Sequence, residues 1–272
     1  MTTDSPGGSW DPVVVPWHLD EQLPGFPVPA GAPAPVSPPL PPGTRTGRMT
    51  ALYRAVAGTV ARSPRPLLLT GDCTTALGMA AGLQRRHPDL AVVWLDAHGD
   101  FNTPATTITG YLGGMPLAML TGRAPDLISG PLGLRPVSER NVVLVDARDL
   151  DPAEQEALAA SQVRRVPASP AALGDALAGL GAGAVYLHVD ADIVDSAELP
   201  GLRVPAGGGP SLGQVEGCLA AITAAADVAA ACIACTWLPG HLGDERTRTA
   251  IARLGGAFGA PLSWPDRAGG AA

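Results

Sequence analysis

Three times along the chain a short apolar run ends in a cluster of chemistry-bearing residues, and this recurrence constrains the fold more than any other feature. Ala91-Val92-Val93-Trp94-Leu95 leads into Asp96-Ala97-His98-Gly99-Asp100, Ala184-Val185-Tyr186-Leu187-His188-Val189 into Asp190-Ala191-Asp192, and Pro66-Leu67-Leu68-Leu69-Thr70 into Gly71-Asp72-Cys73-Thr74. Short apolar runs bounded by turn residues read as strands buried on both faces, the habit of parallel sheets. Open α/β sheets bind their ligands beyond the carboxyl ends of such strands. If the extended conformation persists, alternation by two sets Asp96, His98 and Asp100 on one side, and Asp190 with Asp192 on one side. Carboxylates and an imidazole packed so closely repel one another or go unsatisfied unless a cation lies between them. A lone D-x-D is more often a pair of solvated acids or helix caps; two clusters, each at a strand end, favour a divalent metal site.

The remaining segments alternate between strand and helix patterns. Val13 to Trp17 reads as a first strand ending at His18, and Met49, Leu52, Val56 and Val60 have helical spacing within 46–61. A helix is expected over 75–86 and a short one near 115–120. Further strands are expected at 141–145, 163–166, 185–189 and 228–236, with helices opening at Asp151-Pro152 and spanning 171–180, 211–225 and 244–258. The stretch 24–43 is too rich in proline for helix or central strand and reads as a surface loop. The expectation is one α/β domain over 1–272, a three-layer α/β/α arrangement with a mostly parallel central sheet and the metal site at the carboxyl ends of its strands.

Composition narrows the chemistry. All 18 basic residues are arginine, so Schiff-base lysines, pyridoxal-phosphate attachment and Walker-type phosphate loops are excluded. A net charge of −7, with no basic stripe or aromatic platform, gives no support to a nucleic-acid partner. The start of the chain carries no charged and apolar leader, and no run approaches membrane-spanning length, so a cytoplasmic protein without a membrane partner is expected. Cys232 and Cys235 lie in an apolar run and read as small buried residues, not as a redox pair.

The motifs G-D-C-T at 71–74, D-A-H-G-D-F-N-T-P at 96–104 and D-A-D-I-V-D at 190–195 resemble those of the ureohydrolase (arginase/agmatinase) family, and the likeness runs from about Leu67 to Pro239. The resemblance implies an arginase-like fold and two Mn²⁺ ions per chain. Asp96 and Asp190 would bridge them, Cys73 and Asp100 completing one ion and His98 and Asp192 the other, for hydrolysis of a guanidino group. It further implies that Asn102, Thr107 and Thr109 bind the α-carboxylate of an amino-acid substrate and that Asp151 and Glu154 hold its amino group. Asp100 would orient the attacking water.

Three positions depart from the family pattern. Cys73 stands where histidine is usual and, being softer, makes zinc or iron conceivable. Gly113 replaces the histidine that serves arginases as proton shuttle, leaving His18 as a candidate acid/base; His87, His188 and His241 read as structural or exposed, with His188 turned away from Asp190. Thr236 replaces a glutamate that would face the guanidinium, which suits a less basic N-hydroxyguanidine. This combination is similar to family members that convert Nω-hydroxy-L-arginine to L-ornithine and hydroxyurea in D-cycloserine biosynthesis. Hydrolysis of another guanidino compound (L-arginine, a guanidinobutyrate type or agmatine) and non-catalytic guanidino binding stay open, and a monomer is compatible with the short tail over 262–272.

Overall fold

The computed structural model describes residues 9–181, 183–234 and 237–265. In chain order the elements are β1 (Asp11–Val15), β2 (Trp17–His18), β3 (Glu21–Gln22), α1 (Arg45–Val60), β4 (Pro66–Thr70), α2 (Ala76–Leu83), β5 (Leu90–Asp96), α3 (Pro116–Leu120) and α4 (Ser129–Leu132). They continue with β6 (Val142–Asp146), α5 (Pro152–Ala159), β7 (Arg164–Val166), α6 (Pro170–Ala178), β8 (Ala184–Asp190), α7 (Leu212–Ala225), β9 (Val228–Ala234) and α8 (Glu245–Ala257). Seven strands form one sheet in the order β1-β4-β9-β8-β5-β6-β7, every neighbouring pair parallel. The expected mostly parallel sheet is therefore parallel throughout.

Alternation along each strand divides the core into two layers. Val92, Trp94, Leu144, Tyr186 and Cys232 pack with α1 to α4 on one face. Ala91, Val93, Leu95, Val143, Val145, Leu187 and Ile233 pack with α6, α7 and α8 on the other. This is the three-layer α/β/α arrangement, with both sheet faces dry.

Local chemistry sets the helix boundaries. The Thr44 side chain accepts from Gly47 N at 3.2 Å and starts α1, Asp244 accepts from Thr247 N at 2.7 Å and starts α8, and Ser211 with Gln214 forms a capping box on α7. The helix expected over 75–86 opens as a 3-10 turn at Cys73–Thr75, and its regular part ends at Leu83. The first strand lies two residues earlier than expected. Trp17 and His18 leave the sheet to pair antiparallel with Gln22 and Glu21, because Pro16 cannot donate a ladder hydrogen bond. The proline-rich stretch forms neither helix nor strand; Val36 N donates to Val14 O and Ala30 N to Ser263 O, both at 2.8 Å.

Helices α1 and α2 pack against one another, and glycine permits their close approach. A Cβ at Gly82 would lie 2.7 Å from Val60 Cβ and 2.8 Å from Ala57 O, inside van der Waals contact with a β-branched side chain and a backbone carbonyl. Gly174, on the exposed side of α6, has nothing within 4 Å of the same atom. Gly82→Ala is expected to lower unfolding free energy by about 1–3 kcal/mol through overpacking. Gly174→Ala should be neutral or stabilising by up to about 1 kcal/mol; urea unfolding of both variants checks the contrast.

Candidate functional site

Because β4, β5 and β8 run parallel, their carboxyl ends bring Cys73, Asp96 and Asp190 to one edge of the sheet. Gly71 lets the β2–β3 hairpin cross there: a Cβ at this position would sit 2.5 Å from Trp17 O and 2.3 Å from Leu23 Cδ1. Asp72 then locks the crossing, accepting from Leu19 N on one oxygen and from Thr74 N at 2.7 Å on the other. Asp100 has φ of +50°, a left-handed conformation in a non-glycine residue, and Ala118 N donates to its carbonyl at 3.1 Å. The chain thereby turns back, and Asn102 N donates to Gly114 O at 3.1 Å, closing the loop 102–114 over the sheet edge.

Among the described residues, two groups offer ligand atoms lying within 4.8 Å of one another: Cys73, Asp96 and Asp100, and Asp96, His98 and Asp192. Asp96 belongs to both, as expected of a bridging carboxylate. Asp190, the other expected bridge, belongs to neither; its Oδ2 accepts from the Cys73 sulfur at 2.8 Å and its Oδ1 from Asp192 N at 2.9 Å. His98 Nδ1 lies 3.1 Å from Asp192 and 3.5 Å from Asp96.

The electrostatics are those of acids crowded away from water. Burial and the neighbouring carboxylates hold Asp100 and Asp190 well above the ordinary range, and burial with the field of Asp96 raises Asp192 to about 7. Burial also pushes the Cys73 thiol up, reinforced by Asp190, Asp100 and Asp96. Burial disfavours charge on His98, but Asp192 and Asp96 outweigh it and push the imidazole up to about 12. Asp100 Oδ2 is buried with no hydrogen-bond partner. An orphaned carboxylate oxygen in a donor set of acids, imidazole and sulfur fits a pair of divalent cations, which would satisfy it and relieve the repulsion.

These groups floor a cavity of about 260 Å³. Its wall carries the predicted substrate residues Asn102, Thr107, Thr109, Asp151 and Glu154. Asn102 Nδ2 donates to Asp151 at 3.3 Å, and the buried Glu154 accepts from Phe101 N at 2.8 Å. Asp151 begins α5 without a side-chain cap bond, so its carboxylate is not engaged in capping that helix. Thr236 and Cys235 lie outside the described residues; Cys232 is buried.

Two expectations about histidine need correction. His188 does not turn away from the site. It is fully buried, stacked on Trp94 with ring centroids 3.6 Å apart, and its Nε2 sits 3.1 Å from the Cys73 sulfur while Tyr186 holds Nδ1 at 2.9 Å. Residues two apart on a strand share a face, and burial keeps this imidazole neutral with a pKa of about 3. His18 is on the expected edge but does not line the cavity; its Nε2 meets the Tyr111 hydroxyl at 2.9 Å, and Tyr111 is the residue that lines it. Asp149, 3.9 Å from His98 Nε2, and Val204 also line the cavity without having been expected. Asp149 lies in the short turn after β6 and Val204 in the long connection before α7, both without regular structure, so periodicity carried no sign of them.

A model described as "Arginase family" matches residues 27–254. The chain belongs to the arginase family. It is 35% identical over 153 residues to the N(omega)-hydroxy-L-arginine amidinohydrolase of Streptomyces lavendulae, covering 56% of this chain and 54% of that protein. It is 31% identical over 171 residues to an arginase of Staphylococcus aureus strain COL, covering 59% and 56%. The aligned stretch thus spans about half the length of these curated relatives. In fold it is similar to the crystal structure of arginase from Bacillus subtilis, with a TM-score of 0.78, 22% identity and coverage of 93% of this chain and 99% of that one. Among the described residues no helix is long and apolar enough to cross a membrane.

The raised Asp192 carboxylate gives a signed pH dependence. A group whose folded pKa lies above its ordinary 3.8 contributes stability at low pH that is lost as pH rises towards about 7. After chelation, the melting temperature relative to that of Asp192→Asn should fall across this window, and added Mn²⁺ should remove the fall. Manganese binding should also release protons into weak buffer, less in the variant, as a pH-stat would record.

Proposed function

We propose that this chain is an amidinohydrolase that cleaves Nω-hydroxy-L-arginine to L-ornithine and hydroxyurea. The observation that carries the reading is the joining of two parts in one cavity: paired ligand groups sharing Asp96 at its floor, and the Asn102, Asp151 and Glu154 cluster on its wall. The first part suits hydrolysis, and the second suits an amino-acid substrate presenting its guanidino end to the floor.

Cys73, Asp96 and Asp100 would hold one cation and Asp96, His98 and Asp192 the other, with Asp190 beside Cys73 placed to join them. Bound there, Mn²⁺ supplies Lewis acidity and an activated water for attack on the guanidine carbon. Zinc or iron is the alternative that the Cys73 sulfur admits. Asp100, with its unpartnered Oδ2, is placed to orient the water and hold its proton. Asp151 and Glu154 supply negative charge for the substrate's ammonium, while Asn102, Thr107 and Thr109 supply amide and hydroxyl groups for its carboxylate.

The preference for the hydroxylated substrate is supported by what lines the cavity. His98 is the one histidine among the lining residues described, and it belongs to a ligand group. With Gly113 on the wall and no second imidazole, the cavity favours a guanidine that is less basic and needs less help from a general acid. The likeness to the S. lavendulae protein, named for this substrate, supports the same choice. The likeness to the S. aureus arginase favours L-arginine as the second reading.

Manganese-loaded protein is expected to turn over Nω-hydroxy-L-arginine with a kcat/KM at least about 100-fold above that for L-arginine, a gap of roughly 2.7 kcal/mol in transition-state binding. Equal turnover of both overturns the assignment in favour of the second reading. Separately, Asn102→Ala and Asp151→Ala should each raise KM about tenfold or more while kcat changes less. An unchanged KM in both variants points to a guanidino substrate lacking the amino-acid end.

A further inference from the structure

Tyr111 and Gly113 occupy one volume. A Cβ placed on Gly113 would lie 2.2 Å from Tyr111 Cε1, 2.3 Å from Cζ and 2.5 Å from the hydroxyl oxygen, so the phenol ring fills the space that any side chain at 113 would need. The phenol where it stands and a side chain at position 113 therefore exclude one another. Tyr111 lines the cavity together with Cys73, Asp100 and Asp190. Burial and the nearby Asp72, Cys73, Asp100 and Asp190 push its hydroxyl far up, so it is a neutral phenol able to donate one hydrogen bond and to accept others.

His18 holds that phenol in place from behind. Its Nε2 lies 2.9 Å from the hydroxyl, and the two rings are close to parallel, 19° apart with centroids at 6.0 Å. Burial lowers the His18 pKa, with Asp72 and Glu21 opposing and Arg203 and Arg45 assisting, so the imidazole is neutral at working pH. Its Nδ1 is buried without a partner. A neutral imidazole has one donor and one acceptor nitrogen, so Nε2 either donates to the phenol, freeing the phenolic hydrogen for a ligand, or accepts it, freeing the oxygen.

We infer that Tyr111, oriented by His18, is the residue that selects the N-hydroxylated guanidine, through a hydrogen bond between its phenol and the substrate's N–OH group. The inference rests on the proposed function. A guanidinium carries donors alone and leaves the freed phenolic hydrogen of the first arrangement unpaired; an N-hydroxyguanidine both donates and accepts and can pair with either arrangement. A site with a fixed hydroxyl partner discriminates against a ligand that leaves it unpaired far more sharply than an apolar wall does.

The test is Tyr111→Phe, which keeps the ring over Gly113 and removes only the oxygen. With thermal stability, manganese content and L-ornithine affinity matched to the parent, kcat/KM for Nω-hydroxy-L-arginine should fall about 30- to 100-fold, and at least about tenfold more than that for L-arginine. His18→Asn should show a smaller fall of the same selectivity. Added to Tyr111→Phe it should produce no further loss of selectivity, the signature of a positioning residue acting through the phenol. A parent enzyme that prefers the hydroxylated substrate, and keeps that preference in Tyr111→Phe, overturns this inference alone. A parent enzyme without the preference overturns the substrate assignment and this inference with it.

Discussion

Repulsion between buried carboxylates is the constraint around which the molecule is arranged. Asp96, Asp100, Asp190 and Asp192 are all buried, and Cys73 lies within hydrogen-bonding distance of Asp190. No folded chain places four acids together for stability, since each loses hydration and gains like-charged neighbours. The parallel sheet bears that cost because its own cohesion is elsewhere: seven strands dry on both faces, and helices packed against each. The edge of such a sheet is where backbone regularity ends and side chains can converge from strands distant in sequence. Strain gathers there too, in the left-handed conformation of Asp100 and in the orphaned oxygen at its tip.

What could be read from the residues follows the same division. The strands were legible because burial on both faces leaves continuous apolar runs, and each cluster of acids, imidazole or sulfur was legible because it directly follows one of them. Helix starts at Asp151-Pro152, Ser211 and Asp244 were legible because a proline at the first helical position and the side-chain caps of Ser211 and Asp244 are local chemistry. The hairpin at Trp17–Gln22 was not, because two-residue strands carry no periodic signal and their pairing depends on the crossing over Gly71. Tyr111 belongs to a loop without period, and its place in the cavity wall follows from a turn set by hydrogen bonds from Asn102 to Gly114 and from Ala118 to Asp100. His188 was misjudged although the alternation rule was sufficient: it is two residues from Asp190 and so on the same side of its strand.

The cavity combines two kinds of wall that differ in rigidity. The Asp151 and Glu154 carboxylates stand at the first turn of α5, where the helix dipole favours negative charge, and Glu154 is held by the Phe101 amide. Thr107 and Thr109 sit on the loop and support its turns through Gly110 N and Tyr111 N. The wall nearest the solvent is thus built on loop backbone, whereas the floor is built on strand ends. A fixed floor with an adaptable wall lets a family keep one bond-breaking chemistry while changing which molecule is presented to it.

The contact between His188 and Cys73 bears on how such a centre could diverge. The face of the imidazole stacks on the Trp94 ring, its Nε2 meets the sulfur and Tyr186 holds its far nitrogen, so the ring is fixed on three sides. A larger side chain at position 73 has to displace this imidazole or turn away from it, because the two residues already touch. Exchange between sulfur and imidazole at this corner is therefore coupled to what stands at position 188. Positions 73 and 188 should accordingly drift as a pair, each constraining which ancestors the other can have had.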